Sequence, residues 1–366
     1  MTVWKTKETG LTGHADAVRT LAGRWLKELG DRDFVCSPAG LWLALAAVAA
    51  GARGDTAEEL RDLLGVAGDE AARAVTGAAR ELARTDALGV ATRVWSRVPV
   101  YREYREALPD IAFGPMDPGG IDAWVREATG GLIERLPAAV DENTLLALVN
   151  VLALKARWEL PFDGSATRHR PFTDAAGVVH AVPTMHRYLP SRDAWTVNGT
   201  HVVELRTLAE RGGEPARVRF VLGEEGAGPA DVLPAAWASG RRRRPVKADA
   251  VALALPRFSL RRREDVTSRL PALGVEFATS ELADFSGLSP ERLRISEVVQ
   301  EAAVKVAELG VEAAAVTAVV MTRGGPAIPK RVQHIAFDRP FGVVVLDAGG
   351  EVPLFTGWQS GAPADR

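Results

Sequence analysis

Cysteine is almost missing from this chain: Cys36 stands alone among 366 residues, which excludes an intrachain disulfide and any zinc-ligand spacing. That scarcity suits a reducing compartment without requiring one. Long apolar runs are missing as well. The longest, Leu41 to Ala50, falls well short of the roughly 20 residues a membrane helix needs. Met1 to Glu8 lacks the basic start and apolar centre of a signal peptide, so a soluble protein retained in the cell is expected, secreted only if a further segment precedes it. Charge bias is absent too. Lys and Arg total 45 against 47 for Asp and Glu, and a formal net charge of -2 offers no general field for nucleic acid or a membrane.

Enzyme signatures are equally wanting. There is no Gly-x-Ser-x-Gly elbow, no phosphate-binding glycine loop with a following Lys, and no His-Glu-x-x-His. The six histidines (His14, His169, His180, His186, His201 and His334) show no metal-ligand spacing and read as structural or surface residues. Ser37 sits at a helix start without a neighbouring base, so capping or strand-gap hydrogen bonding is its expected role, and Cys36 reads as an inert core thiol. Neither a catalytic residue nor a cofactor or metal is expected.

What the chain does have is apolar bulk, 47% against 25% charged, enough for a large core. The first half reads as helices over Ala15 to Leu29, Leu41 to Ala50, Ala57 to Leu64 with Thr56 as its cap, and Asp69 to Arg84. A strand over Gly89 to Trp95 follows. Leu145 to Trp158 is nearly all apolar, as a central strand buried on both faces would be. Arg241 to Arg244, followed by Pro245, reads as a solvated turn rather than a polyanion site, and Asn198-Gly199-Thr200 as a turn rather than a glycosylation site.

One stretch resists an ordinary reading. Glu308 to Gly325 (ELGVEAAAVTAVVMTRGG) is too apolar for a solvated loop. As a strand, one face carries Val311, Ala313, Ala315, Thr317, Val319 and Met321, none of them charged. An Ala-rich core helix is the other reading, disfavoured by the β-branched residues at 311, 316, 317, 319 and 320. Gly310 at one end and Arg323-Gly324-Gly325-Pro326 at the other supply permissive joints. An exposed, uncharged, strand-capable segment invites aggregation, so a protein that keeps one is expected to use it.

The hinge Glu308-Leu309-Gly310-Val311-Glu312-Ala313-Ala314-Ala315 is similar to the Glu-x-Gly-(Thr/Ser)-Glu-Ala-Ala-Ala signature of the serpins, the serine-protease-inhibitor family. Phe337-Asp338-Arg339-Pro340-Phe341 and Pro353-Leu354-Phe355-Thr356-Gly357 resemble that family's C-terminal strands. Gly51 to Thr56, Ile121 to Val125, Asn150 to Trp158 and Leu255-Pro256-Arg257-Phe258 have counterparts as well. The resemblance implies an α+β fold with three β-sheets, about eight or nine helices and an exposed reactive-centre loop at about 308–331. It implies a single domain over residues 1–366, and a monomer. Ser37, Asn150 and Gln300 match the polar cluster where the main sheet must part, with Gln300 in place of the family's His, and Trp158 matches the residue at the top of that sheet.

By the same resemblance, the chain is expected to be a suicide-substrate inhibitor of serine proteases, with cysteine proteases as a further class, that traps the acyl-enzyme by inserting its cut loop into the central sheet. The alternative is a non-inhibitory serpin that acts as a binding or chaperone-like protein. The residue before the cut is Arg323 or Gly324, with Gly325 beyond it, and Lys330 and Arg331 stay open because the loop is longer than in many relatives. Arg323 implies a trypsin-like target, and Gly324 an elastase- or subtilisin-like one.

Overall fold

The structure, a computed structural model, describes residues 10–85, 88–128, 131, 134–135, 144–154, 156–209, 212–311 and 331–364. Four helices open the chain. In α1 (Ala15–Leu29) the spacing of Val18, Leu21, Ala22, Trp25, Leu26 and Leu29 puts one face in the core, and Gly30 leaves the helix with a positive φ of 69°. The next, α2 (Pro38–Ala49), is buried nearly all round, as its unbroken apolar run dictates. Then come α3 (Gly54–Leu64) and α4 (Gly68–Leu82). Thr56 is not the cap of α3, which starts two residues before it with Arg53 in the cap position. Buried inside the first turn, the Thr56 hydroxyl instead accepts a hydrogen bond from the Asp284 amide at 2.9 Å.

The remaining elements are mostly strands. In chain order they are β1 (Phe34–Cys36), β2 (Leu88–Ser96), β3 (Ala112–Pro115), β4 (Leu146–Leu154), β5 (Ala156–Arg157), β6 (Arg168–Thr173), β7 (Val179–Pro190), β8 (Ala194–Val197) and β9 (Thr200–Arg206). There follow β10 (Arg217–Leu222), β11 (Arg244–Pro245), β12 (Ala250–Pro256), β13 (Phe258–Asp265), β14 (Val299–Ala307), β15 (Gly310–Val311), β16 (Val332–Ala336), β17 (Phe341–Leu346) and β18 (Pro353–Gln359). Helix α5 (Arg102–Ala107) precedes β3, and α6 (Pro118–Ala128) packs Ile121 and Val125 on Trp95 and Val149 of the β2–β4 ladder.

Seven strands form one sheet, in the order β1-β18-β17-β10-β9-β8-β11, and four form another, β16-β12-β7-β6. The other two ladders are β13-β14-β15-β5 and β3-β2-β4. Position 155, between β4 and β5, lies outside the described residues. On either side of it, β4 pairs with β2 and β5 with β15.

Asn198 and Gly199 turn the β8–β9 hairpin with φ of 50° and 88°, the left-handed geometry that an Asn-Gly pair tolerates. Arg241 and Arg242 are exposed on a short 3-10 turn, and Arg244 and Pro245 make the outer strand of the seven-stranded sheet. Arg243 differs from its neighbours: it is half-buried, with its guanidinium 4.7 Å from the centre of the Trp195 ring.

Candidate functional site

The site is built where β14 turns back on itself. Glu308 and Leu309 make a two-residue turn, after which Gly310 and Val311 run back antiparallel to Ala307 and Val306. On its other side the same dipeptide pairs with Arg157 and Ala156 of β5. Val311 is fully buried, as a β-branched residue in mid-sheet should be. Gly310 is there because of space: a Cβ would run into the Ala156 carbonyl oxygen, with the Arg157 Cα 2.8 Å away. The hinge expected to wait outside the sheet therefore already occupies its first two places.

Several groups hold the turn. The Trp158 indole donates to the Ala307 carbonyl at 2.9 Å, and its amide donates to the Leu309 carbonyl at 2.9 Å. Its ring meets Phe220 edge-on at 6.3 Å, which locks its direction. The Phe162 amide donates to the Glu308 carbonyl. The Glu308 carboxylate is 8% exposed and accepts from the Arg257 guanidinium and the Thr167 hydroxyl. Burial alone would push this carboxyl up, but the Arg257 and Thr167 hydrogen bonds and the Arg257 charge outweigh it and hold the group below the usual glutamate range.

Lower in the molecule, Ser37 ties three elements together. Its hydroxyl accepts from the Gly40 amide at the start of α2 and donates to the Leu354 carbonyl of β18 at 2.6 Å. Its main chain is clasped by Gln300 of β14: the Ser37 amide donates to Oε1 at 2.6 Å, and Nε2 donates to the Ser37 carbonyl at 2.9 Å. The helix cap is thus present, and the other bonds of Ser37 reach β18 and β14. Asn150 faces Thr92 in the β2–β4 ladder, and its side chain lies outside the description. Between these levels, no ladder joins β4 to β14 among the described residues.

Glu312, Ala313, Ala314, Ala315, Arg323, Gly324, Gly325 and Lys330 lie outside the described residues, and Arg331 is exposed just before β16. Two partners of the hinge went unnoticed in the sequence. Arg257 stood inside a recognised motif, Leu255 to Phe258, whereas nothing marked Thr167, whose partner is 141 positions away.

Chemically the assembly is a seat for backbone rather than a centre for bond-making. Cys36 is buried against Thr356, and burial pushes its thiol up to about 12, so it stays protonated. No group of three His, Cys, Asp or Glu side chains is placed to hold a metal ion among the described residues, and no described helix is long and apolar enough to cross a membrane.

Comparison with known proteins gives this seat its family context. The chain is 32% identical to a putative serpin-Z12 of Oryza sativa subsp. japonica, over 89% of this chain and 84% of that protein. It is 29% identical to Iris of Ixodes ricinus, over 88% of this chain and 90% of that protein. Among solved structures, a thyroxine-binding globulin complex with thyroxine superposes with a TM-score of 0.78 at 23% identity, covering 99% of this chain and 100% of the other. The profile of the family described as serpin (serine protease inhibitor) matches residues 16–360, and the chain belongs to that family, one of protease inhibitors rather than enzymes.

Proposed function

We propose that this serpin is a suicide-substrate inhibitor of serine proteases, with residues 308–331 as its bait. The observation that carries the reading is the seat of Gly310 and Val311 between β14 and β5, above a stretch where β4 and β14 share no ladder among the described residues. In this reading a strand that has begun to insert there continues between β4 and β14. Residues 1–366 act in this reading as a single domain and a monomer.

The protease serine attacks the carbonyl of the residue before the cut, Arg323 or Gly324. An ester to the enzyme forms, and the amine of the following residue leaves. The freed arm then zips downward from Val311 through Glu312, Ala313, Ala314 and Ala315, none of which is bulky apart from Glu312. The ester-linked protease travels with it. Distortion of its oxyanion hole slows hydrolysis of the ester. Gln300 and Ser37 must let β14 shift for the arm to pass, and Trp158, Arg257 and Thr167 hold the pivot.

The test is incubation with trypsin, elastase, chymotrypsin and subtilisin, followed by a denaturing gel and mass spectrometry of the released fragment. An SDS-stable adduct with at least one enzyme, and a cut between Met321 and Gly325, are the expected results. Complete cleavage by all four without an adduct would overturn inhibition and leave the binding or chaperone-like reading.

A further inference from the structure

Asparagine is nearly as scarce in this chain as cysteine: Asn143, Asn150 and Asn198 are the three in 366 residues. Their followers differ. Asn143 precedes Thr144 and Asn150 precedes Val151, both β-branched, whereas Asn198 precedes Gly199. Asn143 lies outside the described residues, and Asn150 is held in the β2–β4 ladder opposite Thr92. Asn198 and Gly199 are both exposed, at the tip of the β8–β9 hairpin.

The turn itself accounts for the pair. Val197 pairs with Thr200, which leaves a loop of two residues, and both of them take a positive φ. Asn198 is the sole non-glycine residue to do so among the described residues. Asn-Gly is the dipeptide that such a loop favours. Geometry thus demands here a pair that is chemically frail. Gly199 carries no side chain to shield its amide nitrogen, and neither that amide nor the Asn198 carboxamide has a hydrogen-bond partner among the described residues. The nucleophile and the group it would attack are both free.

We infer that Asn198 is a site of spontaneous deamidation, and that its isoaspartate product loosens the β8–β9 hairpin. The Gly199 nitrogen loses its proton and bonds to Asn198 Cγ, the bond from Cγ to the side-chain nitrogen breaks, and ammonia leaves from a cyclic imide. Water then opens the imide at either carbonyl. One opening gives aspartate, which keeps the ordinary backbone and tolerates the left-handed geometry. The other gives isoaspartate, which routes the main chain through the side-chain carbon and adds a methylene to a loop whose register admits two residues. Both products carry a new negative charge, and the Glu224 carboxylate is already close: its Oε1 lies 3.2 Å from where a Cβ on Gly199 would stand. Behind the turn, Trp195 and Val197 of β8 and Val202 and Val203 of β9 are buried, so a turn that no longer fits is felt in the core. The chemistry needs only water and is independent of the loop's role as bait.

The test ages the full-length protein in mildly alkaline buffer beside a synthetic peptide of residues 193–206. Samples are then unfolded and digested, the fragment carrying position 198 is followed by mass spectrometry, and an isoaspartate-specific methyltransferase counts the isoaspartate. Asn198 should convert at least about tenfold faster than Asn143 or Asn150, whose β-branched followers crowd the attacking nitrogen. An acidic form should build up on isoelectric focusing, and Asn198→Gly, which keeps a two-residue turn, should not give it. Protein enriched in isoaspartate should melt about 2–4 °C below fresh protein, while aged Asn198→Gly should melt as it did when fresh. An intact Asn198 in the folded protein after the peptide has fully converted would overturn the site, because the hairpin would then protect it. So would an acidic form that Asn198→Gly acquires just as fast. Isoaspartate at high yield with no change in melting would overturn the loosening of the hairpin.

Discussion

Glu308 shows how much one side chain can hold. Its carboxylate is buried, yet two donors and a positive charge keep it ionised, so removing its charge takes a charged acceptor away from the Arg257 guanidinium. Glu308→Gln should therefore lower stability by about 2–3 kcal/mol, the range for breaking a partly buried, hydrogen-bonded ion pair. Because the folded-state pKa is depressed, this contribution is present above the unfolded value and is lost as pH falls through the folded one. Wild-type melting temperature should thus drop more steeply than that of the variant between about pH 5 and pH 3. Parallel curves would mean the carboxylate is not coupled to the fold. Gln300 makes a second residue-scale case. Gln300→Leu strands the amide of Ser37, whose carbonyl keeps the Leu41 amide as a donor, a loss of about 1–3 kcal/mol readable in urea unfolding. Since Gln does not titrate, sheet opening at this clasp should show no histidine-like midpoint between pH 5 and 8, and one that Gln300→Ala abolishes would contradict it.

Elements were legible in proportion to how local their causes are. The periodicity of Val18 to Leu29 and the unbroken apolar run of α2 are visible in any short window, and both helices stand where those windows put them, within a few residues. Thr56 was misjudged because its partner, the Asp284 amide, lies 228 positions away. Leu145 to Trp158 was rightly seen as strand, but which neighbours its two described parts meet, β2 and β15, is decided by residues far away in the chain. The hinge motif was plain in the sequence; its place was not, since nothing in Glu308 to Ala315 states that two of its residues are already paired. That placement makes Gly310 decisive. Gly310→Ala puts a methyl against the Ala156 carbonyl and should unseat β15, speeding amide hydrogen exchange over 308–311 by about tenfold or more. Unchanged exchange would show that the seat tolerates a side chain, and with it that close backbone approach is not what fixes the glycine.

At the scale of the whole molecule the proposed trapping needs a store of energy. The seven-stranded sheet and its helices form a well-packed core that shares Trp158, Val306 and Val311 with the pivot, so the hinge is attached to a rigid body and not to a floppy one. Gly310 and Val311 are already paired, so in the proposed mechanism the arm would extend an existing strand after cleavage instead of starting one. About a dozen further ladder hydrogen bonds at roughly 1 kcal/mol each, with apolar burial added, give a gain on the order of 10 kcal/mol. A chain of 366 residues unfolds with an entropy of about 0.8 kcal/mol/K, so that gain should raise the melting temperature by roughly 10–15 °C once the loop is nicked. Differential scanning calorimetry of intact and loop-cleaved protein measures this directly. An equal melting temperature for the two forms would mean that the uncut molecule is not metastable, and a pre-seated hinge would then be only a strand end. A rise in the expected range, together with loss of the effect when a charged residue replaces Ala313 or Ala315, would locate the stored energy in the arm.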